Sequence, residues 1–359
     1  MIYRETGQFK TSYAADQQIF PIRQDRYAVA LLLVVAFFVV PAFASQYWIA
    51  AILIPFLIFS LAALGLNILT GYAGQLSLGS AAFMAVGAFG AYNFILRVPD
   101  MPVIPAFLLG GLCAALVGIV FGLPSLRIKG FYLAVATLAA QFFVVWALTK
   151  FGWFSNYSSS GVISAPPILL FGAFPVDTPV RKYLLTLSIV AVMALLAKNM
   201  VRSNTGRCWM AIRDMDVAAE VIGIRPMHTK LLAFAVSSFY CGVAGALAAF
   251  CYLGTVEPDY FTLDLSFKIL FMIIIGGVGS ILGSFFGAAF IVLLPIFLNI
   301  TLHPLFALLG LPVSSAVISN LELMVFGAMI IFFLAVEPHG LARLWQIGKE
   351  KLRLWPFPH

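Results

Sequence analysis

Charge is what this chain has least of. Across 359 residues only 10% are Asp, Glu, Lys or Arg, against 62% hydrophobic, where soluble domains carry about 25% charged side chains. A chain of this length cannot hide that much apolar surface inside itself, so the expected solvent is lipid. Histidine and cysteine are scarce too, with four of each. Cys113, Cys208, Cys241 and Cys251 lack metal-ligand spacing and read as reduced packing residues. His228, His303, His339 and His359 all lie away from the middle of any apolar run, so a Ser–His dyad or a histidine metal site lacks its parts. There is no His-Glu-x-x-His, and no Lys-Ser or Lys-Thr follows a glycine run at P-loop spacing. The chain therefore offers no catalytic residue, no metal site and no cofactor site of its own. Ionisable residues near the apolar runs reduce to Glu322 and Lys268, both near run ends where snorkelling accounts for them. That scarcity tells against an ion-coupled carrier.

What is present in quantity is long apolar sequence. Runs occur at about 27–44, 47–69, 81–97, 103–123, 131–149, 182–200, 230–253, 266–280, 283–302 and 319–336, most of them near the roughly 20 residues that a spanning helix needs. The fold expected is an all-α integral membrane protein of about ten transmembrane helices with glycine-interrupted segments. Residues 1–26 read as a polar tail ending in Arg23 and Arg26 rather than a secretory signal. Residues 27–336 read as the membrane domain and 337–359 as a second tail. The net charge of +7 follows this arrangement. With ten spans, sixteen of the 21 basic residues fall on one side, including Arg4, Lys10, Arg127, Lys129, Arg207, Arg213, Lys349 and Arg353. Arg97, Lys150, Arg181, Lys182 and Lys268 fall on the other. The positive-inside rule then makes both termini cytoplasmic and explains the basic balance without nucleic acid.

Between two apolar runs sits a polar stretch, 198–230, with a cytoplasmic loop expected over 201–229. From Gly206 to Gly223 its spacing predicts one short amphipathic helix. Cys208, Ile212, Met215, Ala219 and Ile222 form an apolar stripe, while Arg213, Asp216 and Glu220 face away. Ser203, Asn204 or Thr205 suits its start, Gly223 its end, and Pro226 blocks continuation. Patterning alone serves either a helix lying in the headgroups or one docked against a soluble partner.

Two glycine runs break otherwise apolar sequence. The first, Gly71-Tyr72-Ala73-Gly74-Gln75-Leu76-Ser77-Leu78-Gly79-Ser80, follows Asn67-Ile68-Leu69; the second is Gly276-Gly277-Val278-Gly279-Ser280. Such runs serve tight helix packing or turns, or line a watery path where irregular backbone is shielded from lipid. On the far side lie a Ser-, Gly- and Pro-rich loop over 151–180 and an acidic segment with Glu257, Asp259 and Asp264.

Three stretches together resemble one family. Thr205-Gly206-Arg207, Ala211-Ile212-Arg213-Asp214 and Ala218-Ala219-Glu220 with Gly223 are similar to the coupling loop of permease subunits in ATP-driven importers, and specifically to the branched-chain amino acid branch. The Glu usual before the paired alanines is replaced by Val217, with Asp216 one step earlier. Asn67-Ile68-Leu69 leading into the first glycine run, and Ile275 to Gly283, resemble two further signatures of that family, so the likeness spans roughly 60–336.

The resemblance implies a coupling role for Arg207, Arg213, Asp214, Asp216, Ala218, Ala219, Glu220 and Gly223. It implies a translocation pathway near Asn67, Gly71, Gly74, Gln75, Ser77, Gly79, Ser80, Gly276, Gly277, Gly279 and Ser280. It also implies a sister permease subunit, two ATPase subunits that use ATP and Mg, a periplasmic substrate-binding protein docking on the 151–180 side, and a bacterial inner membrane. The implied cargo is leucine, isoleucine and valine. Relatives that move other amino acids, urea or short amides share the architecture, and a stand-alone secondary carrier is the alternative of a different class.

Overall fold

The computed structural model describes residues 11–12, 23–125, 131–158, 162–170, 174–308, 315–336 and 339–354. Arg4, Lys10, Arg127, Lys129 and His359 lie outside the described residues, as do the side chains of Arg23, His303, Glu322 and Arg353. The described chain is mostly helical. Helix α1 spans Asp25–Phe43 and α2 spans Trp48–Tyr72. Next come α3 (Ser80–Arg97), α4 (Val103–Ser125), α5 (Phe131–Lys150) and α6 (Pro179–Arg202). Two short helices follow, α7 (Asn204–Asp214) and α8 (Asp216–Val221). The long α9 covers Pro226–Leu253, and α10 (Leu263–Gly276), α11 (Ile281–Leu308), α12 (Ser315–Val336) and α13 (Gly340–Leu354) complete the order.

Among the described residues seven helices are long and apolar enough to cross a membrane: α1, α2, α4, α5, α6, α9 and α11. Their outward faces carry large exposed apolar side chains such as Leu31, Phe38, Leu116, Val120 and Phe142. In water such a surface would drive aggregation; against acyl chains it is the expected exterior. The molecule is an all-α membrane protein. Its extended pieces are two-residue strands: β1 (Ile163–Ser164) pairs with β4 (Thr255–Val256), and β2 (Leu169–Leu170) pairs with β3 (Phe174–Pro175).

Local chemistry sets several helix starts. Thr178 caps α6 by accepting from the Arg181 N–H, with Pro179 at the first helical position. Pro226 begins α9 in the same way, since its missing N–H is one of the donors a helix start leaves orphaned.

Helices α2 and α9 are the most buried spans and form the axis of the bundle. Between apolar helices in lipid, close van der Waals approach replaces the hydrophobic drive. One point shows it: a Cβ added at Gly87 of α3 would strike the Gly242 backbone of α9, and one at Gly242 would meet Gly111 Cα of α4 at 3.0 Å.

The bundle has two distinct ends. At one, Asn93 and Arg97 reach the 151–158 loop, where the Arg97 guanidinium lies 3.5 Å from the Trp153 ring centroid and donates to the Trp153 carbonyl. At the other end the last turn of α2, the 277–280 turn, α7, α8 and the start of α13 converge. There Lys349 of α13 pairs with Asp25 of α1 at 3.2 Å.

Candidate functional site

The two glycine runs meet, and Asn67 is the fastener. It is fully buried, its Nδ2 donates to the Ser280 carbonyl at 2.7 Å and to Ser284 Oγ at 2.9 Å, and its Oδ1 accepts from the Gly279 N–H at 2.8 Å. One fully buried amide thus satisfies the polar groups of the 279–280 turn. Helix α2 loosens to a π-helical turn over Ile68–Tyr72 as it arrives. Gly71 lies in that turn, so close to Gly279 that a Cβ would strike Asn67 Oδ1 and the Gly279 N–H. On the other strand of the crossing, Gly277 and Gly279 have φ of +120° and +80°, backbone that an L side chain strains to adopt. Gly277 also abuts the backbone at the start of α13, and Gly276 packs on Gly283 of α11.

Arg213 reaches this crossing from α7. Its Nη1 donates to the Gly71 carbonyl at 2.9 Å, and its stem lies against Gly74, whose φ is +68°. Its Nε and Nη2 both bond Asp214 Oδ1 at 2.9 Å. The crossing therefore unites Asn67, Gly71, Gly74, Gly276, Gly277, Gly279 and Ser280 with one residue from the polar segment.

The rest of the first run leaves the crossing. Gln75 is half-buried and held by Leu69 and Thr70. Ser77 is buried and its Oγ accepts from the Gly79 N–H. The irregular backbone of 73–79 then enters α3, whose first N–H groups have no partner in their own helix. Other helices supply partners: Thr137 Oγ1 for Leu78, Ser266 Oγ for Ala81, and Gln141 Oε1 for Ala82, at 2.9, 3.0 and 2.6 Å. Gln141 Nε2 donates onward to the Phe261 carbonyl at 2.8 Å. Ser80 Oγ, buried at the same helix start, has no partner among the described residues.

Gln141, Thr137 and Ser266 escaped the sequence reading. A signal was there: Gln141 is the one amide within the 131–149 run, four residues after Thr137 and so on the same helix face.

The polar segment differs from the single helix expected over 206–223. It is two helices, broken where Met215 is extended at φ −155°, ψ 100°. The face that α7 buries is Gly206, Trp209 and Ile212 rather than a stripe starting at Cys208. Two contacts rotate it. Trp209 is fully buried with its Nε1–H donating to the Thr229 carbonyl at 3.0 Å, and Gly206 presses on the Val201 backbone where no side chain fits. In α8 only Ala219 is buried. Met215, Val217, Val221 and Ile222 stand exposed, and Gly223 ends the segment at φ +91°.

Among the charged residues of this segment, Arg213 pairs with Asp214, and Asp216 faces Lys230 at 3.8 Å. Arg207, Ala218 and Glu220 are exposed. A cleft of about 700 Å³ opens between α7 and the connection from α8 to α9, lined by Arg207, Cys208, Ala211, Ile222, Gly223 and Arg225.

All four cysteines are free thiols, and no cluster of three metal-ligating side chains occurs among the described residues. Beyond the spans, burial pushes the Tyr260 phenol up.

The family described as "Branched-chain amino acid transport system / permease component" matches residues 48–334. The high-affinity branched-chain amino acid transport system permease protein LivM of Escherichia coli K12 is 30% identical over 248 residues, 62% of this chain and 57% of the relative. The LivM protein of Salmonella typhimurium LT2 gives the same figures, 30% over 62% and 57%. The chain thus spans under three fifths of the length of these two relatives. A probable branched-chain amino acid transport permease protein LivM of Methanocaldococcus jannaschii is 24% identical over 329 residues, 82% of this chain and 92% of the relative. No solved structure matches significantly. Because the family match runs from α2 through α12 and takes in both glycine runs and the α7–α8 segment, this protein belongs to the branched-chain amino acid transport permease components.

Proposed function

We propose that this chain is a membrane subunit of an ATP-driven importer, forming with a sister permease the path by which leucine, isoleucine and valine cross the bilayer. In this reading α1–α6 and α9–α12 make ten spans, with both termini and α7–α8 in the cytoplasm of a bacterial inner membrane. Two separate ATPase subunits use ATP and Mg, and a periplasmic binding protein delivers substrate to the 151–180 side. The chain itself catalyses nothing; it supplies the conduit and the grip for the motor.

The observation that carries the proposal is the exposed apolar face of α8. Met215, Val217, Val221 and Ile222 are 70, 67, 82 and 75% exposed on a segment tethered on both sides by long spans. An exposed cluster of this kind, rimmed by Arg207, Glu220 and Arg225, is what a docked partner covers. The family membership supplies the partner's class.

Val221→Asp tests it. The side chain touches water, so a carboxylate there leaves the chain's own packing alone. Ala219, buried at 2%, would confound a charge with misfolding. The variant is expected to accumulate in the membrane normally, to lose co-purifying ATPase subunits, and to take up labelled leucine about tenfold more slowly or worse. Undiminished uptake would remove α8 from the docking surface. Competition of unlabelled valine and of urea against leucine in the parent complex reads the substrate class directly: valine is expected to compete and urea not to.

A further inference from the structure

The crossing of the glycine runs and the docking face of α8 are about as near as two functions can be in one chain, and a single side chain joins them. Arg213 ends α7, two residues before the extended Met215 from which α8 departs. Its guanidinium bonds the Gly71 carbonyl at 2.9 Å and lies 3.6 Å from where a Gly279 Cβ would stand, so it touches both runs at the point where they meet. Its stem fills the space beside Gly74.

We propose that Arg213 is the positioning residue that passes displacement of the docking segment to the Gly71–Gly279 crossing. The inference rests on the importer reading and adds to it the route by which the motor's push arrives.

The mechanics follow from which contacts are stiff. Helix α7 is a bracket rather than a loop: Trp209 is buried and bonded to Thr229 at the start of α9, and Gly206 is wedged on Val201 at the end of α6. Helix α8 is joined to α7 through the extended Met215 and tied to α9 by the Asp216–Lys230 pair. A load on α8 therefore reaches α7 at its last turn, where Arg213 sits.

From there two routes lead to the crossing. One is the packing of α6 and α9 against the 68–72 turn of α2. The other is the Arg213–Gly71 bond. Asp214 holds two of the guanidinium nitrogens, fixing the fork so that Nη1 keeps its aim. The Gly71 carbonyl lies in the last turn of α2, where carbonyls have no partner in their own helix and accept from an outside donor.

The test uses the whole transport complex, purified by a tag on this chain and reconstituted in liposomes, with labelled leucine and ATP hydrolysis measured together. Arg213→Met keeps the apolar stem against Gly74 and removes every donor. Leucine taken up per ATP hydrolysed is expected to fall about tenfold, a normal size for a coupling between two sites, while ATPase subunits still co-purify. Arg213→Lys, which restores one donor, is expected to recover part of the ratio.

A ratio within twofold of the parent for Arg213→Met overturns the inference and leaves the importer reading intact. Absence of ATPase subunits from the parent complex sinks the importer reading instead. Should Arg213→Met fail to assemble, Asp214→Ala decides, since that side chain is 67% exposed and its removal frees the fork without touching packing. A threefold or greater fall in the ratio then supports the route, and a smaller change overturns it.

Discussion

Gly71→Ala is expected to reduce leucine uptake to background, with the detergent-solubilised chain destabilised by more than about 3 kcal/mol. One methyl group is enough because there is nowhere for it to go. It would strike Asn67 Oδ1 and the Gly279 N–H and come within 2.8 Å of Gly279 Cα. Relief by moving Asn67 would break the bonds to Gly279, Ser280 and Ser284 together, leaving the buried amide without partners. Relief by moving the 277–280 turn would push it into the backbone at His339 and Gly340, which already abuts Gly277. Thermal denaturation in detergent and uptake in liposomes together check this. Gly348→Ala on α13, where a Cβ meets nothing within 4 Å, is the matched control and is expected to behave as the parent.

The second large effect is expected at Gln141. Replacing it with Leu keeps the volume close but removes an acceptor for the Ala82 N–H, an acceptor for Ser266 Oγ and the donor to the Phe261 carbonyl. Each buried polar group left alone costs about 1–3 kcal/mol, so a loss of about 3–5 kcal/mol is expected for the set. The start of α3 should loosen first, since Ala82 lies in its first turn. Hydrogen exchange at residues 78–83 reads that directly: protection there should fall by two or more orders of magnitude. Exchange in α9, which does not touch Gln141 through any of these bonds, serves as the internal reference. Gln141→Glu keeps the acceptor for Ala82 and loses the donor to Phe261, so its effect should be the smaller one. Equal protection in parent and Leu variant would show that α3 needs no cap from α5.

Both predictions concern residues whose importance depends on where another helix lies. The glycines at 71 and 279 were visible as interruptions, and their places in two signatures of one family were visible too. That they touch was not, because 212 residues separate Asn67 from Gly279. Gln141 was legible as a polar residue inside a span and no further. Nothing in its own helix says that it caps another one.

The polar segment teaches the complementary lesson. Spacing put an apolar stripe at Cys208, Ile212, Met215, Ala219 and Ile222, and two of the five, Ile212 and Ala219, are buried. Periodicity assumes an unbroken helix. The extended Met215 resets the phase, so its own side chain and that of Ile222 turn to water while Trp209 takes the interior. The charges assumed to face away are partnered instead: Asp216 pairs with Lys230 on α9, and Arg213 with its own neighbour and a distant carbonyl.

The sequence by itself determined the solvent and the class. A chain 62% hydrophobic and 10% charged has to place its side chains in lipid, and a helix is the element that satisfies its own backbone there. The positions of the apolar runs and the family signatures are local or one-dimensional facts, and a string of residues carries them in full. Tertiary structure alone decided which polar groups share a bond. It brought the two glycine runs into contact, aimed Arg213 at Gly71 and set Gln141 over the start of α3. Those partners are chosen by helix packing over long separations, where a shift of one residue along a helix turns a side chain through 100° and no sequence period records the outcome.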